Sequence, residues 1–258
     1  LKTKIISIVN QKGGVGKTTT ALNIAAGLVE RGKHVLLVDF DPQRNLTDYL
    51  GYEPDGGQTV ADLILAAAQG KEASMEDAIR TNGEGIEYIP SNINLSSADM
   101  FLAQAMFREQ ILKRVLNNRC ADYEYVLIDC LPSLGILLTN ALIASDSLII
   151  PVQAQKFALD GIDALISVYE MVKRQANPGL YIQGVLLTMT DNTNMAKAVG
   201  AALREKFPDA MFNTAISRSV EATNSTYAQA SLISLRDSRL GAQYMSVVDE
   251  MLAGEERR

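Results

Sequence analysis

Lys12-Gly13-Gly14-Val15-Gly16-Lys17-Thr18-Thr19 decides the fold, because two lysines stand where a phosphate loop ordinarily carries one. The stretch follows the apolar run Ile5 to Val9 and opens a helix-compatible segment, Thr19 to Leu28. A strand, a glycine-rich turn and a helix N-terminus together form an anion cradle. Backbone N–H groups converge there, the helix dipole is positive, and glycine lets the chain pass close to phosphate oxygens. Gly13, Gly14, Val15, Gly16 and Thr19 are read as the cradle. Lys17 is placed to reach the β- and γ-phosphates of a nucleotide, and the Thr18 hydroxyl to sit on Mg²⁺. The ordinary pattern needs a glycine, four further residues and then Gly-Lys-Ser/Thr. Gln11 occupies that position, so only the form with Lys12 beside Gly13-Gly14 fits. A plain glycine turn capping a helix would need neither the second lysine nor the threonine pair.

At 258 residues, with 47% hydrophobic content, the chain suits one large α/β domain over residues 1–258, since such domains often reach about 250 residues. The tail from Ala253 to Arg258 reads as frayed and mixed in charge, unlike a basic amphipathic membrane anchor. No uncharged apolar run of about 18 residues predicts a spanning helix, and the N-terminus lacks a signal-peptide pattern. Cys120 and Cys130 cannot build a metal cluster with the single His34 and read as buried thiols of a reducing cytoplasm. His34 reads as a strand-edge residue. The net charge of −6 argues against a globally basic nucleic-acid surface.

Short β-rich runs alternate with helical ones. Strands are predicted at 4–10, 34–39, 86–90, 125–129, 147–151, 181–188 and 211–216. Helices are predicted at 18–31, 59–68, 103–118, 134–144, 159–175, 195–206, 220–229 and 239–252. Runs such as Val35 to Val38 and Val126 to Ile128 are apolar throughout, the pattern of strands buried on both faces. The expected architecture is three-layered: a mostly parallel, twisted sheet flanked by helices, as in phosphate-loop NTPases with a deviant loop.

Two of these strands end in carboxylates, where open parallel sheets place their ligands. The first run continues Val38-Asp39-Phe40-Asp41-Pro42-Gln43. Asp39 and Asp41 share a side if the chain stays extended. One can hold a metal-bound water and the other can orient or deprotonate the water that attacks the γ-phosphate. The second run ends Ile128-Asp129-Cys130, giving Asp129 as a further metal-side carboxylate.

With these motifs in place the chain resembles the ParA/Soj family of partition ATPases, within the wider group that includes MinD. Residues 10–20 resemble its deviant Walker A, residues 38–43 its second motif and residues 128–135 its Walker B. Ile150-Pro151-Val152-Gln153, residues 158–161, residues 184–189 and Thr193-Asn194 also match family positions. The resemblance implies ATP and Mg²⁺ as ligands and an ATP-sandwich homodimer. In it Lys12 crosses to the phosphates bound by the other subunit, and Asp41 positions the hydrolytic water. It also implies adenine near Ser217 and Arg218, stimulation by a ParB-like partner, non-specific DNA binding, and a bacterial cytoplasmic, nucleoid-associated location without a membrane anchor. A second cation suits a loose phosphoryl transition state, as an arginine finger does.

The sequence departs from the family pattern at defined places. Residues 189–194 carry no arginine before Thr193-Asn194, and Glu221 stands at a commonly basic position. Both changes argue against DNA binding, which rests on neutralised phosphates. Arg218, Arg236 and Arg239 could still form a smaller patch. Arg44 replaces a glycine, and Gln155 a common glutamate. Two functions follow: an ATPase that segregates plasmid, chromosomal or other cargo with a ParB-like partner, or a MinD-like regulator that positions a protein complex without touching DNA. A nitrogenase-iron-protein-like reductase would need paired bridging cysteines, which Cys120 and Cys130 do not supply.

Overall fold

The computed structural model describes residues 2–117, 120–155 and 158–256. Seven strands form one sheet: β1 (Lys4–Ile8), β2 (Val35–Phe40), β3 (Arg80–Thr81), β4 (Glu87–Ile89), β5 (Tyr125–Cys130), β6 (Ser147–Gln153) and β7 (Tyr181–Thr188). Their spatial order is β3-β4-β2-β5-β1-β6-β7, and every pairing is parallel except β3 with β4. All residues of β2 and β5 are buried, as their unbroken apolar runs require.

The pleat sorts these side chains into two cores. Leu36, Val38 and Phe40 of β2 join Val126 and Ile128 of β5 under α3 (Val60–Ala68), α5 (Ile111–Leu116), α6 (Ile136–Ala144) and α7 (Ala158–Gln175). Val35, Leu37 and Leu127 face the other way, against α1 (Lys17–Glu30) and α10 (Arg239–Glu255). Helix α1 lies close on α10 because Gly27 has no side chain. A Cβ there would come within 2.8 Å of Val248 Cγ2. The expected three-layer α/β architecture is therefore present.

Three local expectations differ from what is found, and one helix was not expected, each for a visible reason. The 211–216 run makes one isolated bridge, Val185 with Met211, and the next, Thr190 with Ser217, falls just past it. Between them the Glu250 carboxylate of α10 takes the amides of Asn213 and Thr214, both at 2.8 Å, and interrupts the ladder. Of the helix expected at 103–118 only a 3-10 turn (Arg108–Gln110) and the short α5 form, after α4 (Ala98–Leu102), and Asn118 lies outside the described residues. Phe107 turns left-handed at φ 52° between them, and buried Asn140 accepts the Leu112 amide while donating to the Arg108 carbonyl. The tail expected to fray from Ala253 is helical through Glu255, whose carboxylate accepts from Lys4, Tyr125 and Gln183. Arg257 and Arg258 lie outside the described residues. Finally, α2 (Asn45–Tyr49) was not legible as a helix because its anchor lies in β2, eight residues away from Thr47 in sequence. The remaining helices are α8 (Asn194–Lys206) and α9 (Glu221–Tyr227).

Candidate nucleotide site

At the C-terminal edge of the sheet, the loop after β1 is held in shape by protein bonds alone. Buried Asn10 accepts the Lys12 amide at 2.9 Å and donates to the Pro151 carbonyl at 2.8 Å. The Thr188 hydroxyl donates to the Val15 carbonyl at 2.8 Å, tying the loop to β7. Gly16 sits at φ 89° just before α1, and Gly14 at φ 72°, a region open chiefly to glycine. A Cβ at Gly13 or Gly14 would meet no atom within 4 Å, so the cradle is open space bounded by backbone. That space belongs to a cleft of about 530 Å³ whose walls include Lys17, Thr18, Thr19, Asp41, Gln43 and Pro132.

Charge is concentrated in and behind its wall: Lys17 and Asp41 line the cleft, and Asp129 and Asp39 are buried nearby in β5 and β2. Lys17 is buried, and its ammonium donates to the Lys12 carbonyl at 3.2 Å. Burial lowers its pKa, opposed by the charges of Asp129, Cys130 and Asp41. Asp129 is 1% exposed and its Oδ1 has no hydrogen-bond partner. Burial first, and then the neighbouring charge of Asp39, pushes its carboxyl far above the usual carboxylate range; a bond from Thr18 and the charge of Lys17 hold it back. Asp39 lies directly across from Asp129 in the β2–β5 register. Its pKa is raised to about 7, burial outweighing bonds from Thr47 and the Asp41 amide. Asp41, nearly buried, accepts the Gln43 amide on Oδ1 at 2.8 Å.

An orphaned carboxylate oxygen beside a threonine hydroxyl fits a magnesium site. Mg²⁺ binds through one or two protein oxygens, waters and substrate phosphates rather than through an all-protein cage. Among the described residues no three His, Cys, Asp or Glu side chains converge as such a cage.

A second cleft, about 300 Å³, adjoins the first and shares Gly16, Thr19 and Met189 with it. Ser217 and Arg218, the residues expected near adenine, line it. Ser217 is fixed by Gln243, whose Oε1 accepts its amide at 2.9 Å and whose Nε2 donates to its hydroxyl at 2.8 Å. Met189 adopts φ 51° between the clefts. The structure thus gathers Gly13, Gly14, Gly16, Lys17, Thr18, Thr19 and Asp41 around one cleft and Ser217 and Arg218 around its neighbour. Val15 is 1% exposed and does not line the cleft. Lys12 stands apart: it is absent from the described cleft walls, and its Nζ lies 3.4 Å from Gln155 Oε1. Thr47 and Gln243 escaped sequence reading because the fold brings them to Asp39 and Ser217.

Outside the site, His34 is exposed at the opposite end of β2, its amide on Glu124. Cys120 and Cys130 are both buried free thiols; burial pushes Cys120 up to about 12 and Cys130 higher still. Arg44 occupies a left-handed position at φ 52°, where a glycine is easily accommodated, and pairs with Asp48 at 2.8 Å.

The comparisons with known proteins agree with this geometry. Residues 3–182 match the family model described as an AAA domain. Sporulation initiation inhibitor protein Soj of Bacillus subtilis is 41% identical over 97% of this chain and 98% of its own length. The chain belongs to the ParA/Soj family of partition ATPases. Chromosome partitioning protein ParA of Caulobacter vibrioides is 35% identical, over 99% of this chain and 96% of its own. Among solved structures, a Mycobacterium smegmatis protein described as cobyrinic acid a,c-diamide synthase, with bound ADP and magnesium, superposes with a TM-score of 0.86. It shares 32% identity and covers 99% of this chain and 96% of its own. This ParA/Soj member is an ATPase, and no helix among its described residues is long and apolar enough to cross a membrane.

Proposed function

We propose that this ATPase is a nucleotide-switched dimer that segregates DNA or other cargo with a ParB-like partner stimulating slow hydrolysis. Lys17 and the loop amides would hold the β- and γ-phosphates of ATP, and Ser217 and Arg218 would border the base. Thr18 and Asp129 would hold Mg²⁺, with Asp39 behind them. Bound magnesium would supply charge neutralisation on the phosphate oxygens. Asp41 would orient the attacking water.

The observation that carries the dimer is the position of Lys12. Its carbonyl accepts from Lys17, and among the described residues its ammonium does not line its own chain's phosphate cleft and lies 3.4 Å from Gln155 Oε1. A cation so placed can complete a triphosphate site on a second copy, which couples nucleotide state to assembly. Light scattering tests this. The native protein is expected to double in mass with a non-hydrolysable ATP analogue, while Lys12→Ala binds the analogue and stays monomeric. A Lys12→Ala protein that still dimerised would remove the cross-subunit role.

One observation favours a version without direct duplex contact. Each arginine of the candidate DNA patch has an acidic neighbour: the charge of Arg218 acts on Asp191, that of Arg239 on Glu221, and Arg236 lies 4.0 Å from Asp237. Arg236 and Asp237 are almost fully exposed, so their pairing is weak, but the local charge is still balanced. Glu221 also accepts from Ser238 and the Leu240 amide, tying α9 to the start of α10. A DNA titration against salt, with ATP and with ADP, decides between the versions. Near-zero binding in low salt supports cargo positioning through a protein partner; tight, steeply salt-dependent binding with ATP alone supports a chromosome-surface role.

A further inference from the structure

Asp39 ends a parallel strand beside Asp129, a placement that suggests a metal ligand, but the bonds it makes point elsewhere. Its Oδ2 accepts both the amide and the hydroxyl of Thr47, at 2.8 and 2.6 Å. Its Oδ1 accepts the amide of Asp41 at 3.1 Å. The Thr47 hydroxyl in turn accepts the Ser91 amide at 2.9 Å, just past β4. Asp39 and Thr47 are both fully buried.

This network closes the 41–47 segment into a loop fastened at both ends. Asp41, Gln43 and Asn45 line the phosphate cleft, whereas Asp39, Thr47 and Asp129 do not. What sets Asp39 apart is that its oxygens already hold three donors. Asp129 presents the contrast, an oxygen with no donor at all. The orientation of the Asp41 carboxylate follows from the clamp, because its own amide is held by Asp39 and its Oδ1 by the Gln43 amide. Threonine suits the junction: its hydroxyl donates to one partner and accepts from another, and branching at Cβ restricts its rotamer.

We propose that Asp39 is a positioning residue, not a metal ligand: with Thr47 and the Ser91 amide it clamps the 41–47 loop so that Asp41 meets the attacking water. The inference rests on the reading of Asp41 given under the proposed function. Small displacements of a reacting group are costly, so loss of the clamp should act on turnover and spare binding.

The test uses the full chain with Thr47→Val, Thr47→Ser, Asp39→Asn and Asp41→Ala. Four quantities are measured: kcat, affinity for a non-hydrolysable ATP analogue, the Mg²⁺ concentration at half-maximal analogue binding, and the melting temperature. Thr47→Val is expected to lower kcat about 10- to 100-fold while leaving analogue affinity and the Mg²⁺ midpoint within about twofold. Thr47→Ser, which keeps the hydroxyl, should restore most of the turnover. Asp39→Asn should repeat the valine pattern, and Asp39→Asn combined with Thr47→Val should be no worse than the more impaired of the two singles. A rise of about tenfold or more in the Mg²⁺ midpoint of Asp39→Asn would make it part of the metal site and overturn the proposal. Native turnover in Thr47→Val beside an inactive Asp41→Ala would overturn the clamp while leaving the Asp41 reading intact. Native turnover in Asp41→Ala would remove that reading and the clamp with it. If Thr47→Val melts below the assay temperature, the Mg²⁺ midpoint of Asp39→Asn decides.

Discussion

Two ends of the same sheet bury carboxylates in opposite conditions. At the N-terminal edge, the Glu255 side chain is 8% exposed and receives Lys4, Tyr125 at 2.7 Å and Gln183 at 2.8 Å. Lys4 also stands 5.6 Å from the centre of the Tyr125 ring. At the C-terminal edge, Asp129 is buried with one oxygen empty-handed, and Lys17 leans on a loop carbonyl. A buried polar group left without a partner costs about 1–3 kcal/mol, so the second arrangement persists for a reason other than stability. The satisfied end fastens the last helix to the sheet. The unsatisfied end is prepared for a charged ligand.

The sharpest way to break this contrast is to remove the cation at the unsatisfied end. Lys17→Ala is expected to weaken ATP binding by about 10²-fold or more, read by equilibrium titration, with little change in melting temperature. Asp41→Ala should come next: analogue binding and dimerisation persist while turnover falls about 10²- to 10⁴-fold in a phosphate-release assay.

The third effect is on stability and depends on pH. Asp39 has a folded pKa of about 7 against an ordinary value of 3.8. Between those values the unfolded chain has released a proton that the folded chain keeps. Stability contributed by this group is therefore present below about pH 4, is lost as pH rises towards 7, and levels off above it. Melts of nucleotide-free protein should show a fall of about 4 kcal/mol across that window, flattened in Asp39→Asn. A melting temperature that rises over the same window would contradict the burial of this carboxyl.

The smallest effect belongs to the satisfied end. Glu255→Gln keeps the shape and one acceptor, and should cost about 1–2 kcal/mol of stability in denaturant unfolding. Its ATPase rate should stay within about twofold of native. A large loss of turnover there would mean that the two ends are coupled.

The part of this account that could be read from the chain is what local spacing encodes. The loop Lys12 to Thr19 reported its own geometry, since glycines at fixed offsets before a helix have few other uses. The buried strands Val35–Phe40 and Tyr125–Cys130 announced a parallel sheet by having no polar face. What could not be read is what distant groups impose. Nothing near Asn213 says that a carboxylate from α10 will take its amide and end a strand. Nothing near Asp39 says that Thr47 will occupy its oxygens while Asp129 keeps one free. Adjacent in the sheet and similar in sequence setting, the two aspartates are separated only by tertiary contacts.

The direct measurement of the unsatisfied end is the Mg²⁺ dependence of ATP-analogue binding in native protein and in Asp129→Asn. Native protein should bind the analogue about tenfold or more tightly with Mg²⁺ than with chelator, and Asp129→Asn should lose most of that gain. An Mg²⁺ gain of equal size in both proteins would show that the empty oxygen of Asp129 is not where the metal binds.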